Sequence, residues 1–324
     1  MNFTTTTLAW GLGQGLVILL LAGILARFLR QRPRVELRLL WCGVWLALTV
    51  APVVSPFAPK WEWVIPTRAD TSDDRTPVTL PVPMTITEPS PAMGMLELVP
   101  SADVKPSRSL VSWLLTVWTV GATLLVFRLL ASQAVLWRLR RRSTKASSEW
   151  HANLLEIADS LGLRRTPRLA QSSRIQVPMT WGWLRPIILL PEQDFVLSAE
   201  ERRFVLAHEC LHIRRHDSFW LTLAHATLCL HWVNPLAWWA IRRLRVAQEQ
   251  SCDDNIINRQ PEDAANYADF LLHTAKRTHN ARIFHPLALA MLPKLPSQLK
   301  QRLTHILSID MKRTTNNRNR AGII

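Results

Sequence analysis

Leu206-Ala207-His208-Glu209-Cys210-Leu211-His212 is the stretch on which the reading of this chain turns. Two histidines stand four residues apart, and a glutamate follows the first. In an α-helix, positions i and i+4 lie on one face, one turn apart. His208 and His212 can therefore reach a single zinc ion, with Glu209 beside it where a general base would stand. Two satisfied histidines on a buried helix would give the same letters, so the surroundings decide.

Those surroundings favour a helix. Ser198-Ala199-Glu200-Glu201 places a hydroxyl at the N-cap and a Glu three residues later, the pattern of a capping box. Phe204, Val205, Leu211 and Ile213 can face a core while the histidine pair faces a site. No Pro or Gly interrupts residues 198–217, so helix is expected throughout.

Catalytic zinc usually has three protein ligands and an open position. His216, Asp217, His225, His231, Glu249 and Asp253 are the candidates for the third. Position 218 is Ser, so a histidine six residues after His212 is absent. His216 falls a further turn along the helix, out of reach. Asn234 and Pro235 read as the cap and first turn of a new helix running through Arg242 to about Ile257. Glu249 and Asp253 then share one face, where one can bind metal while the other fixes a ligand imidazole. The plain alternative for Glu249 is a solvated pair with Arg245.

Taken together, these residues resemble a known family. His208-Glu209-x-x-His212-x-x-Arg215-x-Asp217, Trp232-x-Asn234-Pro235-Leu236 and Glu249-x-x-Cys252-Asp253 are similar to the BlaR/MecR-type membrane-embedded zinc metallopeptidases. So are Thr180-Trp181-Gly182-Trp183-Leu184-Arg185-Pro186-Ile187-Ile188-Leu189-Leu190-Pro191 and Leu299-Lys300-Gln301-Arg302-Leu303-x-x-Ile306-Leu307. The likeness covers residues 110–307 by motif and the N-terminal third by helix layout. It implies Zn2+ held by His208, His212 and Glu249, water activated by Glu209, and a ligand histidine supported by Asp253. In related zinc peptidases an extended strand before the zinc helix pairs with the substrate backbone. Ile187, Ile188, Leu189 and Leu190 match that position, and their β-branched start suits a strand. Pro186 and Pro191 would bound a short edge; an ordinary core strand is the alternative.

Three uncharged runs frame a membrane region. Leu8–Ala26 and Leu39–Pro59 are long enough to cross a bilayer, as is Leu110–Phe127. Arg27, Arg30, Arg32, Arg34 and Arg38 lie between the first two, and Arg128, Arg138, Arg140, Arg141, Arg142 and Lys145 follow the third. The positive-inside rule then puts the N-terminus and residues 60–108 outside, and everything after about residue 138 in the cytoplasm. The expected spans are about 8–27, 39–57 and 110–130. Residues 60–108 carry eight prolines and read as an extended periplasmic loop. Ser218–Ile241 is also uncharged, but Asn234-Pro235 interrupts it, and a full crossing would separate Glu249 from His208. A buried or interfacial hairpin is expected there. Cys42, Cys210, Cys229 and Cys252 are expected to be reduced, with Cys210 and Cys252 as packing residues.

The net charge of +15 flanks the spans, so topology and anionic lipid account for it without a nucleic acid. No internal repeat or phosphate-cradling Gly loop is present. The expected architecture is a mostly α inner-membrane protein. It has a transmembrane region (1–145), a cytoplasmic α+β gluzincin-like zinc peptidase domain with a small sheet (146–310), and a basic disordered tail (311–324). The resemblance implies proteolytic signalling, by cleavage of the chain itself or of a cytoplasmic transcriptional repressor. Membrane lipid and a second copy of the chain are the further partners considered. Against the antibiotic-sensing members of the resembled family, residues 1–324 show no fourth span and no external penicillin-binding domain, which puts β-lactam sensing in doubt. The rivals are a non-proteolytic membrane scaffold with structural zinc, and a membrane-tethered nucleic-acid binder, for which no reading motif is present.

Overall fold

The computed structural model describes residues 3–29, 32–54, 110–192 and 197–279, together with Arg302, Thr304 and Ile306. The loop at 60–108 and the tail at 311–324, both assigned from composition, lie outside the described residues.

Three long apolar helices come first: α1 (Phe3–Phe28), α2 (Arg34–Val54) and α3 (Leu110–Arg142). Each has the length and hydropathy to cross a membrane. At 1.5 Å per residue the 26 residues of α1 extend about 39 Å, more than a hydrocarbon core of about 30 Å. Large apolar side chains such as Leu21, Ile24, Val53, Leu114 and Phe127 point outward from them, as lipid-facing helices require. α2 begins earlier than the uncharged run because Arg34, Glu36 and Arg38 are tolerated in its first turns. α3 continues past its apolar part to Arg142, since no Pro or Gly intervenes and Leu and Arg are good helix formers.

The chain then builds a small mixed layer. α4 (Ser148–Ser160) follows β1 (Thr144–Lys145), and β2 (Arg168–Ser172), β3 (Met179–Trp181) and β4 (Ile187–Pro191) complete a four-stranded sheet. The strand order is β1-β2-β4-β3, with β2 and β4 parallel and β3 antiparallel to β4. The expectation of an edge strand at Ile187–Leu190 is therefore corrected. β4 is paired on both sides and buried on both faces. Ile188 and Leu190 pack under α4 and α5, while Ile187 and Leu189 face Leu139 of α3. A continuous apolar run is what a strand covered on both faces requires. The β3–β4 turn relies on Gly182, whose φ of 89° lies in the left-handed region.

Four helices finish the described fold: α5 (Ala199–Arg214), α6 (Asp217–Leu230), α7 (Pro235–Arg259) and α8 (Ala264–His279). Ser198 caps α5 through a complete capping box, worth about 1 kcal/mol. The run expected to be helical through residue 217 breaks earlier, where His216 adopts a left-handed φ of 55°. α6 and α7 form a hairpin that reverses at residues 231–234, with Asn234 capping α7 and Pro235 in its first turn. The first half of α7 offers Ala237, Ala240, Leu244 and Ala247 to α1 and α2 in one apolar core. Its second half offers Cys252, Ile256 and Ile257 to α5 and α8 in another. Glu249 lies where the two cores meet.

Candidate metal centre

α5 turns His208 and His212 the same way. Their Nε2 atoms stand 3.2 Å apart. From α7, Glu249 brings Oε2 to 3.5 Å from His208 Nε2 and Oε1 to 3.7 Å from His212 Nε2. Ligands on a tetrahedral zinc with arms of 2.0–2.1 Å are separated by about 3.3 Å. Two imidazole nitrogens and a carboxylate at these separations fit that ion.

The outer nitrogens decide which ring nitrogens face inward. His208 Nδ1 lies 3.1 Å from the Tyr267 hydroxyl, which donates onward to Asp253 Oδ1 at 2.8 Å. The hydroxyl therefore accepts from His208 Nδ1–H, and the Nε2 lone pair is left for a metal. Asp253, expected to support a ligand histidine, reaches His208 through Tyr267, its own oxygen being 3.7 Å away. His212 Nδ1 donates to Asp217 Oδ2 at 2.8 Å, with the same result at its Nε2. Asp217 entered the sequence reading as a ligand candidate and as part of the family-like motif; the fold gives it the supporting position.

A buried arginine closes the far side. Arg302 grips Asp253 with Nε and Nη2 at 2.7 and 2.6 Å, and its Nη1 lies 2.8 Å from Glu249 Oε2. Glu249 thus faces Arg302 and two histidines, while Arg245 bonds His225. The Arg302 guanidinium holds the Asp253 carboxyl below its usual range, against the opposing effect of burial. Burial pushes the His208 imidazole down. It also acts to lower His212, but the Cys252 sulfur and Asp217 carboxylate beside that ring raise it well above the ordinary value.

Glu209 shares the helix and is buried, with Oε2 accepting from the Thr180 hydroxyl of β3 at 2.7 Å. Thr180 thus ties the candidate base to the outer strand of the sheet. Cys252 Sγ lies 3.6 Å from His212 Nδ1 and 3.9 Å from its Nε2, and accepts from Arg215 Nη1 at 3.3 Å. One ligand atom each from His208, His212 and Cys252 falls within 4.8 Å, so a His-His-Cys grouping is also present. His212 uses Nδ1 for Asp217, which leaves Cys252 the longer approach to the inward nitrogen.

Thr180, Tyr267 and Arg302 were not singled out as site residues from sequence. Arg302 and Thr180 stand inside the family-like segments, which was the only signal available for them. Ile187–Leu190 lies between β2 and β3 in the sheet, one strand in from the edge that carries Thr180.

A bundle of membrane-length helices carrying two histidines and a glutamate at one end has the layout of a membrane metallopeptidase. The chain belongs to the BlaR1 peptidase M56 family, whose model matches residues 7–306. Regulatory protein BlaR1 of Bacillus licheniformis is 27% identical over 162 residues, which is 48% of this chain and 26% of that protein. The chain thus aligns with about a quarter of the length of this curated relative.

Proposed function

We propose that the protein is a membrane-bound zinc endopeptidase that relays a signal by cutting itself or a cytoplasmic transcriptional repressor. The observation that carries this reading is the convergence of His208, His212 and Glu249 beside a buried Glu209. These three would hold zinc, which when bound supplies a Lewis acid for the scissile carbonyl and lowers the pKa of water. Glu209 takes the proton from the attacking water and can return it to the leaving amine. Thr180 keeps the Glu209 carboxylate aimed through its hydroxyl. Asp217 and the Tyr267–Asp253–Arg302 chain orient the two imidazoles.

Substrate access follows from the sheet. With β4 internal, the outer edge available beside Glu209 is that of β3 (Met179–Trp181). An extended peptide can pair with it through main-chain hydrogen bonds and so present a bond to the metal.

Sidedness is supported by the bundle. Arg38 at the start of α2 bonds Asp217, so the centre sits at the end of the bundle that carries Arg27, Arg34 and Arg140–Arg142. The positive-inside rule makes that end cytoplasmic. The test is a strain carrying Glu209→Gln, in which intact substrate should accumulate relative to wild type. An unchanged set of cellular peptides and full-length proteins would oppose a proteolytic role.

The nearness of Cys252 favours one second reading, a closed structural site with sulfur as an additional ligand. Cobalt in place of zinc distinguishes the two. An intense sulfur-to-metal charge-transfer band would indicate the closed site, and its absence the open one.

A further inference from the structure

We propose that Arg38 is a positioning residue of the metal centre, the point at which membrane helix α2 grips the turn that aims His212. The proposal rests on the zinc reading of His208, His212 and Glu249.

Arg38 is 7% exposed in a helix that is otherwise largely apolar. A guanidinium is kept out of water only where it is paired and hydrogen-bonded. Its pairing is specific. Nη2 donates to the carbonyl of Arg215 at 2.8 Å, and Nε donates to Asp217 Oδ1 at 3.0 Å. These two acceptors stand on either side of His216. His216 is the non-Gly residue with positive φ among the described residues, a strained conformation that persists only where its surroundings hold it. Arg38 is one such restraint, because it ties the end of α5 to the start of α6 across the strained residue.

The turn matters because of what it returns. His212 occupies the last turn of α5. Asp217 is five residues further on and can meet His212 Nδ1 only if the chain reverses between them. The reversal at His216 brings Oδ2 to 2.8 Å from that nitrogen. One carboxylate therefore takes Arg38 on one oxygen and His212 on the other. Gln248, next to Glu249 on α7, donates to the Asp217 carbonyl at 3.3 Å and braces the same corner from the opposite side. A displacement of α2 along its axis would pull on Asp217 and rotate the His212 ring. The position of a membrane helix is in this way written into the geometry of a metal ligand 174 residues away, and no sequence spacing signals it.

The experiment measures zinc affinity by chelator competition on the full chain in lipid nanodiscs. The variants are Arg38→Met, Arg38→Lys, Asp217→Asn and the double Arg38→Met/Asp217→Asn. Loss of groups that orient a ligand histidine weakens metal binding by about 10–100-fold. Arg38→Met, acting through Asp217, should lose about tenfold. Arg38→Lys should recover part of that loss. The double variant should be no weaker than Asp217→Asn alone, because both substitutions break one chain. Wild-type affinity in Arg38→Met, or losses that multiply in the double variant, would overturn the proposal. If Arg38→Met does not fold, Arg38→Lys decides: intermediate affinity supports the role and wild-type affinity overturns it. His208→Ala run alongside separates the two levels, since zinc retained there defeats the underlying reading whatever Arg38 does.

Discussion

Single hydrogen bonds set much of the chemistry at the residue scale. Thr180→Val removes the donor to Glu209 while keeping the shape of the side chain. Turnover should fall about tenfold with zinc content unchanged, because a misaimed base loses part of the 10²–10⁴-fold that proton transfer contributes. Cleavage at the wild-type rate would show that the hydroxyl has no part. Arg302 makes a different case. Asp253 has a folded-state value below the ordinary 3.8, so the stability it contributes is present above pH 3.8 and is lost as pH falls through the depressed value. Arg302→Met leaves a buried carboxylate uncompensated and should cost about 3–5 kcal/mol at neutral pH. The deficit should shrink in acidic melts, because without Arg302 burial favours the protonated Asp253 carboxyl and the uncompensated charge is lost; a deficit that grows as pH falls would contradict the pairing. His208, Glu209 and His212 are legible in the sequence because four-residue spacing on one helix places them together. Four-residue spacing likewise puts Glu249 and Asp253 on one face of a helix, but their place beside the histidine pair was implied only by the family resemblance. Thr180, Asp217, Tyr267 and Arg302 meet the site only through tertiary packing. Tyr267 is 59 residues from His208, and Arg302 is 49 from Asp253, distances over which helical periodicity carries no information.

Among the elements, the α6–α7 hairpin does the most for the centre. Asn234-Pro235 signals its reversal, and the return of α7 brings Glu249 back beside α5. The hairpin also docks against α3. Trp232 Nε1 donates to the carbonyl of Trp118, and the indole lies where a Cβ on Gly121 would collide with it. Gly121→Leu should therefore push α3 from the hairpin and destabilise the protein by about 1–3 kcal/mol, read as a lower melting temperature in micelles. An unchanged melting temperature would mean that the contact is easily remade. The break between α5 and α6 was not legible. No Pro or Gly marks it, and His216 is held left-handed by bonds from α2 and α7, which local propensity does not register. The internal position of β4 was hidden for a related reason: an apolar run of four fits an edge or a centre until its neighbours are known.

At the scale of the whole molecule, two cores share α7, and the candidate centre lies between them at the arginine-rich end of the bundle. The fold class and three membrane helices were readable from hydropathy and charge, since both follow from the bilayer as solvent. Sidedness can be tested on intact cells with a membrane-impermeant maleimide, because the four native cysteines are buried. Ser90→Cys should be labelled and Ala152→Cys should not. The reverse pattern would put the centre outside the cytoplasm. The account as a whole rests on one metal held by two histidines and a remote glutamate, with a separate glutamate as base. Zinc per chain, measured on purified wild type, Glu209→Gln and Glu249→Ala with peptide cleavage assayed on the same samples, tests it most directly. The account predicts one zinc with cleavage in wild type, one zinc without cleavage in Glu209→Gln, and no zinc in Glu249→Ala. Full zinc in Glu249→Ala, or undiminished cleavage by Glu209→Gln, would contradict it.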